Sequence, residues 1–250
     1  LSVNAGDAQR LLADAADLLA DATHCAAFSC ALADAGDVIQ GVQLIPAGGG
    51  RAMLVMLTAG GRIKSSICRL SCPADDGFMA AFYDVMHSTF IGTRLSDVSI
   101  ATVQSTAVTL GSRIFDMLPV LSSLCALCAE TRQDSLLFAG ETNLLSHEEL
   151  GNEVYKLLTF LTNRPRFLTL AKQFADAPAR SALFIGEENP YFELKNTATM
   201  LCSLHYNSQQ RAVLGVIGST RMDYATIVPR AQYIMNKTTD LLAEGGITNG

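Results

Sequence analysis

The sequence predicts an α+β protein in which a sheet domain is interrupted by a mostly helical insertion. The first observation is a series of strand-length runs, apolar or alternating, between residues 23 and 70. The second is helical periodicity, with apolar residues three and four apart, over most of residues 78–174. The third is the return of strand-type runs between residues 182 and 218, followed by one amphipathic helix. Strands on both sides of the helical segment place that segment inside the sheet domain.

Composition limits the classes of function. The chain has 250 residues, of which 49% are hydrophobic and 17% charged, so a generous core is expected. The 24 acidic residues outnumber the 18 basic ones, the formal net charge is −6, and basic residues form no cluster. Because nucleic-acid binding depends on cationic groups that displace counterions from phosphates, we expect this chain to make no DNA contact itself.

No apolar run approaches the ~18 residues that a membrane span requires. The N-terminus lacks the pattern of a signal peptide, so a cytoplasmic protein without membrane contact is predicted. Its first residue, Leu1, is not an initiator Met, which suggests a piece of a longer chain. The odd number of cysteines, seven, is typical of reduced thiols.

The N-terminal segment predicts a helix and then four strands. The helical stripe is formed by Leu11, Leu12, Ala15, Leu18, Leu19 and Ala22. The strand candidates are Thr23–Leu32, Val38–Ile45, the continuously apolar Ala52–Thr58, and the alternating Ile63–Leu70. Gly60 and Gly61 suit a two-residue hairpin turn, because both tolerate positive φ. We expect the four strands to form one antiparallel meander.

The middle of the chain predicts helices. Phe78–Phe90 is one candidate and Val103–Ala129 a second, kinked at Pro119. Ser135–Ala139 returns to strand character. The spacing of Ser146 and Glu149 is that of a capping box, which opens a further helix. The sequence 163–165 ends that helix before a shorter one over residues 167–174.

The C-terminal segment returns to strands, over Ala182–Ile185, Thr197–Tyr206 and Ala212–Gly218. The last of these is continuously apolar, as in a strand that is buried on both faces. A polar reversal follows, and from Tyr224 apolar residues fall at helical spacing. Pro229 favours a regular helix that begins near Thr226, because proline needs no hydrogen-bonding N–H in a first turn.

The candidate metal and anion sites have simpler structural interpretations. Cys125 and Cys128 have a metal-site spacing, but they lie on one apolar helical stripe and no further ligand pair accompanies them. The glycines of 48–50 before Arg51 lack the Lys-Ser/Thr of a phosphate loop and favour a strand connection. We therefore expect no metal and no cofactor.

The candidate catalytic groups are equally weak. Ser146, His147 and Glu148 are adjacent in sequence, so their side chains cannot converge as a triad. The Glu187–Glu188 pair precedes Asn-Pro, which favours a strand exit whose polar groups hold a loop, with a ligand contact as the alternative. We expect no catalytic site, and the chain is not predicted to be an enzyme.

Three strings resemble a known family. GVIGSTRMDY at residues 215–224, followed by I-V-P, is similar to the C-terminal signature of the heat-inducible transcription repressor HrcA. IGEENPYFEL at residues 185–194 resembles its other signature, and GETNLL at residues 140–145 its central segment. Family members begin with a winged-helix DNA-binding domain, and nothing in this sequence corresponds to one.

The resemblance implies a fold, a set of domains and signature residues. It implies a GAF-like antiparallel sheet domain with an inserted dimerising domain. We therefore expect a linker helix from the DNA-binding head over 1–22, the GAF-like domain in 23–73 and 150–245, and the dimerising domain in 74–149. The signature positions, expected to be structural, are Gly186, Glu187, Glu188, Asn189, Pro190, Gly215, Gly218, Arg221, Met222, Asp223 and Tyr224.

The resemblance also implies a function. It implies a homodimer that represses heat-shock operons encoding chaperones and chaperonin through an inverted-repeat operator. DNA would be bound through the absent winged-helix domain, and chaperonin would modulate the repressor. The alternative is a GAF-like small-molecule sensor domain, which a mainly apolar pocket with a few polar groups would favour.

Overall fold

The computed structural model describes residues 5–34, 36–205 and 211–247. Over these residues the protein is α+β, with one five-stranded and one three-stranded antiparallel sheet, which confirms the predicted class. The chain divides into two compact units. Unit 1 contains the described parts of residues 1–32 and 134–250, and unit 2 those of residues 33–133.

The elements have the following bounds. The α-helices are α1 (Ala5–Thr23), α2 (Asp76–Val85), α3 (Ile100–Leu110), α4 (Ile114–Thr131), α5 (Glu153–Thr162), α6 (Arg164–Asp176) and α7 (Tyr224–Ile247). The strands are β1 (Ala26–Leu32), β2 (Ile39–Gly48), β3 (Arg51–Thr58), β4 (Ile63–Arg69), β5 (Ser135–Ala139), β6 (Ser181–Ile185), β7 (Thr197–His205) and β8 (Arg211–Ser219).

Unit 1 is built on the five-stranded sheet, in the order β5-β1-β8-β7-β6. Both faces of this sheet are covered. Leu214 and Val216 of β8 pack in a cluster with α1 and α7. Val213 and Ile217, which point to the opposite face, pack in a second cluster with α5 and α6. The continuously apolar β8 is therefore buried on both sides, as predicted.

The two faces of this sheet are filled by different side chains. The α1/α7 face is rich in small residues, including Ala16, Ala20 and Ala231, so these helices approach closely. The α5/α6 face is aromatic: the ring of Phe28 meets that of Phe167 edge-on, with centroids 4.6 Å apart. The Phe28 ring occupies the space beside Gly215, where a Cβ atom would lie 2.2 Å from Phe28 Cε1.

Unit 2 is built on the three-stranded sheet, a β2-β3-β4 meander. One face packs against α2, α3 and α4 in a single apolar cluster that includes Leu54 and Met56. Tight turns join the strands: Gly48, the last residue of β2, and Gly49 and Gly50, which precede β3, all have positive φ. The interpretation of residues 48–50 as a strand connection is therefore confirmed.

The predicted four-stranded meander is wrong. The first strand, β1, leaves the other three and pairs with β8 and β5 in unit 1. As a result, the division between units falls at residues 32/33 and 133/134 rather than at the predicted 73/74 and 149/150. The predicted domain 23–73 thus spans both units, because the β1 pairing joins residues more than 100 positions apart.

Several predicted helix boundaries also differ. The segment 103–129 is two helices, separated by a 3-10 turn at Gly111–Arg113. Ser146 ends a 3-10 helix instead of capping α5. Gly151, at φ 48°, is not helical, so α5 begins only at Glu153. Helix α7 begins at Tyr224, so Pro229 lies within it.

Helix α4 is long and apolar enough, by length and composition, to cross a membrane. Core helices of globular proteins satisfy the same criterion. In unit 2 the side chains of Val120, Leu121, Leu124 and Cys128 are buried against the sheet and its helices. We therefore interpret α4 as the core helix of unit 2.

Candidate functional site

Two of the three signature strings meet at the corner between α1 and β1, defined here as residues 20–25 (the α1–β1 corner). From the central string, Asn143 donates through Nδ2 to the carbonyl oxygens of Cys25, at 3.1 Å, and Ala20, at 3.5 Å. Gly140, at φ 64°, lies so close that a Cβ atom would be 2.7 Å from Ala20 Cβ. The Asn143 amide thus binds the Cys25 carbonyl after the helix and shares the Ala20 carbonyl with His24 N, which donates to it at 2.9 Å.

The C-terminal string encloses the same corner from β8 and α7. A Cβ atom on Gly218 would lie 2.7 Å from Cys25 Sγ, so only glycine fits without displacing the thiol. Met222 is buried beside it. From α7, Arg230 donates through Nη1 to the Ala22 carbonyl oxygen at 3.2 Å. Segments far apart in sequence therefore hold one helix end.

The corner also has internal bonds that fix its backbone. Thr23 donates through Oγ1 to the Leu19 carbonyl at 2.6 Å and accepts from Cys25 N at 3.3 Å. His24 has φ 52°, the left-handed conformation that non-glycine residues rarely adopt. Its carbonyl lies 3.2 Å from His147 Nε2. The direction in which α1 leaves the sheet is thereby set by several independent contacts.

The remaining signature string forms the loop after β6. Asn189 is buried and donates through Nδ2 to the carbonyls of Gly186, at 3.1 Å, and Thr197, at 2.9 Å. Glu188 accepts from Ile185 N at 2.9 Å, and Glu187 forms an ion pair with Lys195 at 2.5 Å. The two carboxylates have different partners, so they do not form an acid–base pair.

The turn from β8 into α7 carries the other signature residues. Arg221 N donates to Ser219 Oγ at 3.1 Å, and Tyr224 donates through its hydroxyl to the Thr220 carbonyl at 2.8 Å. Asp223 Oδ1 accepts from Thr226 N at 3.3 Å, at the start of α7. Hydrogen bonding from Thr226 lowers the pKa of the Asp223 carboxyl. These side chains hold the turn, and Arg221 itself is exposed.

The thiols are poor metal ligands and nucleophiles. Burial raises the pKa of every cysteine, to about 12 for Cys30 and Cys128. Among the residues that the structure describes, no three His, Cys, Asp or Glu side chains are grouped so that they could hold a metal ion. Cys125 and Cys128 lie on α4 in the core of unit 2, where Cys128 Sγ is 3.6 Å from Met56 Sδ.

Sequence reasoning missed Asn143 and Arg230 as corner residues. They are 118 and 208 positions from their partners Cys25 and Ala22. A side chain that bonds to a distant backbone carbonyl leaves no periodicity or spacing, so only the presence of Asn143 in a signature string pointed to it. The sequence places residues 20–22 of the corner in the predicted helix and residues 23–25 in a predicted strand.

Comparisons with known proteins agree on one family. The family model described as "HrcA protein C terminal domain" matches residues 9–228. A heat-inducible transcription repressor HrcA from Methylobacillus flagellatus is 25% identical over 95% of this chain and 69% of its own length. That of Acetivibrio thermocellus is 20% identical over 80% of this chain, which spans only 58% of that relative.

A solved structure shares the fold. It is titled as the crystal structure of a hypothetical protein at 2.2 Å resolution, and it is similar to this chain with a TM-score of 0.67. The sequence identity is 18%, over 95% of this chain and 68% of the solved one.

Proposed function

Because the chain belongs to the family of the HrcA C-terminal domain, we propose that it is the regulatory and dimerising portion of a heat-inducible transcription repressor. The prediction that it is not an enzyme follows from that membership. We assign unit 1 as a GAF-like domain and unit 2 as the inserted dimerising domain. In the cytoplasm, the dimer would repress heat-shock operons through an inverted-repeat operator, with chaperonin as a modulator.

One observation carries the dimer proposal: the outer face of the three-stranded sheet is apolar and uncovered within unit 2. Ile45 pairs with Met53, and Met53 pairs with Ile67, so the three side chains form a row across all strands. Their exposed fractions are 44%, 37% and 72%. Exposed apolar surface of this extent is typical of a protein–protein interface.

We infer that a second copy of this chain covers this row, which we call the outer row. A sheet face with an exposed apolar row can contact its own symmetry mate, as an isologous two-fold interface requires. On one side the row is flanked by Val55 and Ser65, both uncharged, and on the other by the exposed pair Arg51 and Arg69. An apolar centre with charged residues at its rim is the pattern of a protein–protein interface.

The α1–β1 corner supports the second part of the proposal, that α1 is the linker helix to the DNA-binding heads. If α1 could change its orientation freely, the two DNA-binding domains of a dimer would have no fixed relative orientation. Here the bonds from Asn143 and Arg230 hold the end of α1 to unit 1. A second head held at a fixed geometry binds at high effective concentration, which adds ~10²–10⁴ in affinity.

DNA contact is assigned to the winged-helix domain of the longer relatives and not to this chain. The exposed side of α1 carries Asp14, Asp17 and Asp21, which repel phosphate groups. We expect no retardation of an inverted-repeat duplex by the purified chain at physiological salt. A specific complex in that gel would contradict this assignment.

Sedimentation equilibrium at micromolar concentration tests the dimer. The wild-type chain is expected to be a dimer, and Met53→Lys a folded monomer, because the ammonium group would be buried in the outer row. Leu241→Lys is the matched control, since Leu241 is also an exposed apolar residue, at 46%, on α7 of unit 1. A monomeric wild type would refute dimerisation, and dissociation by Leu241→Lys alone would place the interface on unit 1.

The sensor alternative receives no support from the sheet of unit 1. Its two faces are filled by continuous apolar clusters, in which Phe28, Leu19 and Phe167 are almost completely buried. A ligand between the sheet and its helices would have to displace these side chains. Filled faces therefore favour the regulatory and dimerising function over the sensor alternative.

A further inference from the structure

We propose that unit 1 carries a binding site for a small aromatic carboxylate, in an open cleft on the surface formed by α5, the start of α6 and the 3-10 turn Phe192–Leu194. The cleft has a volume of about 450 Å³. Small-molecule sites in proteins span roughly 300–1,000 Å³. This site lies on the outside of the helices, so the filled sheet faces do not obstruct it, and it is independent of the proposed dimerisation.

The walls of the cleft are aromatic. Tyr155 and Phe192 line it and are 74% and 70% exposed, although the Lys195 ammonium lies 5.8 Å from the centroid of the Phe192 ring. Phe160 lines it as well but is buried, so it provides a fixed base. A flat aromatic ring bound in the cleft would remove exposed surface of residues 155 and 192 from water, which supplies the driving force for binding.

The polar anchor is Arg166. Its guanidinium carbon lies 5.7 Å from the centroid of Phe160 and 5.5 Å from that of Tyr191, so the group is stacked on two rings. Its Nη1 donates to Glu193 Oε1, and no other hydrogen bond of this guanidinium is found among the described residues. Because a guanidinium has five N–H donors, most remain available on a group whose orientation is already fixed.

The free donors of Arg166 favour an anion over a cation. The cleft is lined by two cations, Lys156 and Arg166, and by one carboxylate, Glu193. Lys156 is paired with Glu153 at 2.8 Å, and Arg166 is paired with Glu193. The remaining oxygen of that carboxylate, Oε2, is buried, so a cationic ligand cannot reach it. A ligand carboxylate instead reaches the free N–H groups of residue 166 and forms charge-assisted hydrogen bonds.

Titration with 2-naphthoate tests the site, with 2-naphthalenemethanol as the neutral probe of the same ring. The chain contains no Trp, so the fluorescence of the naphthalene ring is read without indole background. The titrations use Met53→Lys, the outer-row variant, as the parent protein, which reduces the apolar surface elsewhere. We expect one saturable site for 2-naphthoate and at least about tenfold weaker binding of the alcohol.

Variants distinguish specific binding in the cleft from non-specific binding elsewhere on the protein surface. Arg166→Gln and Phe192→Ala are each expected to weaken 2-naphthoate binding about tenfold or more. Tyr155→Ala, at the most exposed wall, gives the same result without risk to folding. The matched controls are Lys172→Gln, an exposed cation of α6, and Tyr233→Ala, an exposed aromatic of α7, and neither should change the affinity.

Three outcomes would overturn the proposal. The first is non-saturable binding. The second is equal affinity for the acid and the alcohol, which would make the cleft an apolar docking groove for another protein. The third is unchanged binding in Arg166→Gln together with Tyr155→Ala. None of these outcomes depends on the sedimentation of the wild-type chain. The proposed binding site and the proposed dimer are therefore tested independently.

Discussion

The two sheets of this protein start from similar sequences and end in different environments. Residues 212–218 of β8 and residues 52–58 of β3 are both strand-length runs of mainly apolar residues. In β8 the residues from Ala212 to Ser219 are all buried, because helices cover both faces of the five-stranded sheet. In β3 buried residues alternate with more exposed ones, because the helices of unit 2 cover only one face.

The difference suggests that the apolar residues of a strand reflect every sheet face that is covered in the functional assembly. A face that is exposed in one chain can be covered by a second chain. Burial of an apolar side chain stabilises a protein by roughly 25 cal/mol per Å² removed from water. Met53 and Ile67 forgo that stabilisation in the isolated chain. A second copy on the outer row would restore it, which is why the uncovered face carries the dimer proposal.

The largest expected effect separates the two sheets directly. Ile217→Ala should lower the free energy of unfolding by about 2–5 kcal/mol, because it leaves a cavity in a covered face. Ile67→Ala, at a position 72% exposed, should change it by less than about 0.5 kcal/mol. Urea unfolding in the Met53→Lys background, which removes association, measures both. Equal losses would contradict the comparison.

Close packing is the next difference between the sheets. Gly215→Ala should destabilise the protein by about 1–3 kcal/mol, because the new methyl group overlaps the Phe28 ring. Gly41→Ala is the control in the three-stranded sheet, since nothing lies within 4 Å of its Cβ position. Adding Phe28→Leu to Gly215→Ala should recover part of the loss. Thermal unfolding that ranks the two alanine variants equally would refute this interpretation.

A comparable effect is expected at the edge of the five-stranded sheet. Asn189→Ala removes both hydrogen bonds of the buried amide and leaves the Thr197 carbonyl without that partner, at a cost of about 1–3 kcal/mol. Asn196→Ala is the matched control, because Asn196 is exposed near the same loop. Denaturant unfolding of both variants is the measurement. A loss in the control as large as that in Asn189→Ala would deny the loop its structural role.

The smallest effect concerns pH and the start of α7. Because the folded-state pKa of Asp223 is lowered, its carboxylate stabilises the fold above the unfolded-state pKa of ~3.9. That contribution is lost as the pH falls through the lowered value. Asp223→Asn keeps a capping side chain but no charge, so the stability gap to wild type should close below about pH 4. A gap that stays constant between pH 3 and pH 7 would contradict the assignment.

Local elements were well predicted where local chemistry decides them. The strand Ser135–Ala139 has the predicted bounds, and the strand-to-helix passage from β8 into α7 was recognised from a change of period. The prediction from Pro229 that the helix begins near Thr226 was wrong, because α7 begins at Tyr224 and Pro229 lies within it. Its missing N–H would pair with the carbonyl of Ala225, and that residue is exposed, so water can bind the carbonyl instead.

The sequence by itself determined the α+β class, most strands and the family, because these depend on periodicity and on strings that are read along the chain. The tertiary structure alone decided that β1 joins β8 and β5, that Asn143 and Arg230 hold the end of α1, and that Arg166 lies on two aromatic rings. The two sequence strings of Ala52–Thr58 and Ala212–Gly218 look alike, yet only the fold leaves one sheet face open. The physical reason is that pairing and burial depend on which distant segments meet, and a distant contact leaves no trace in local spacing.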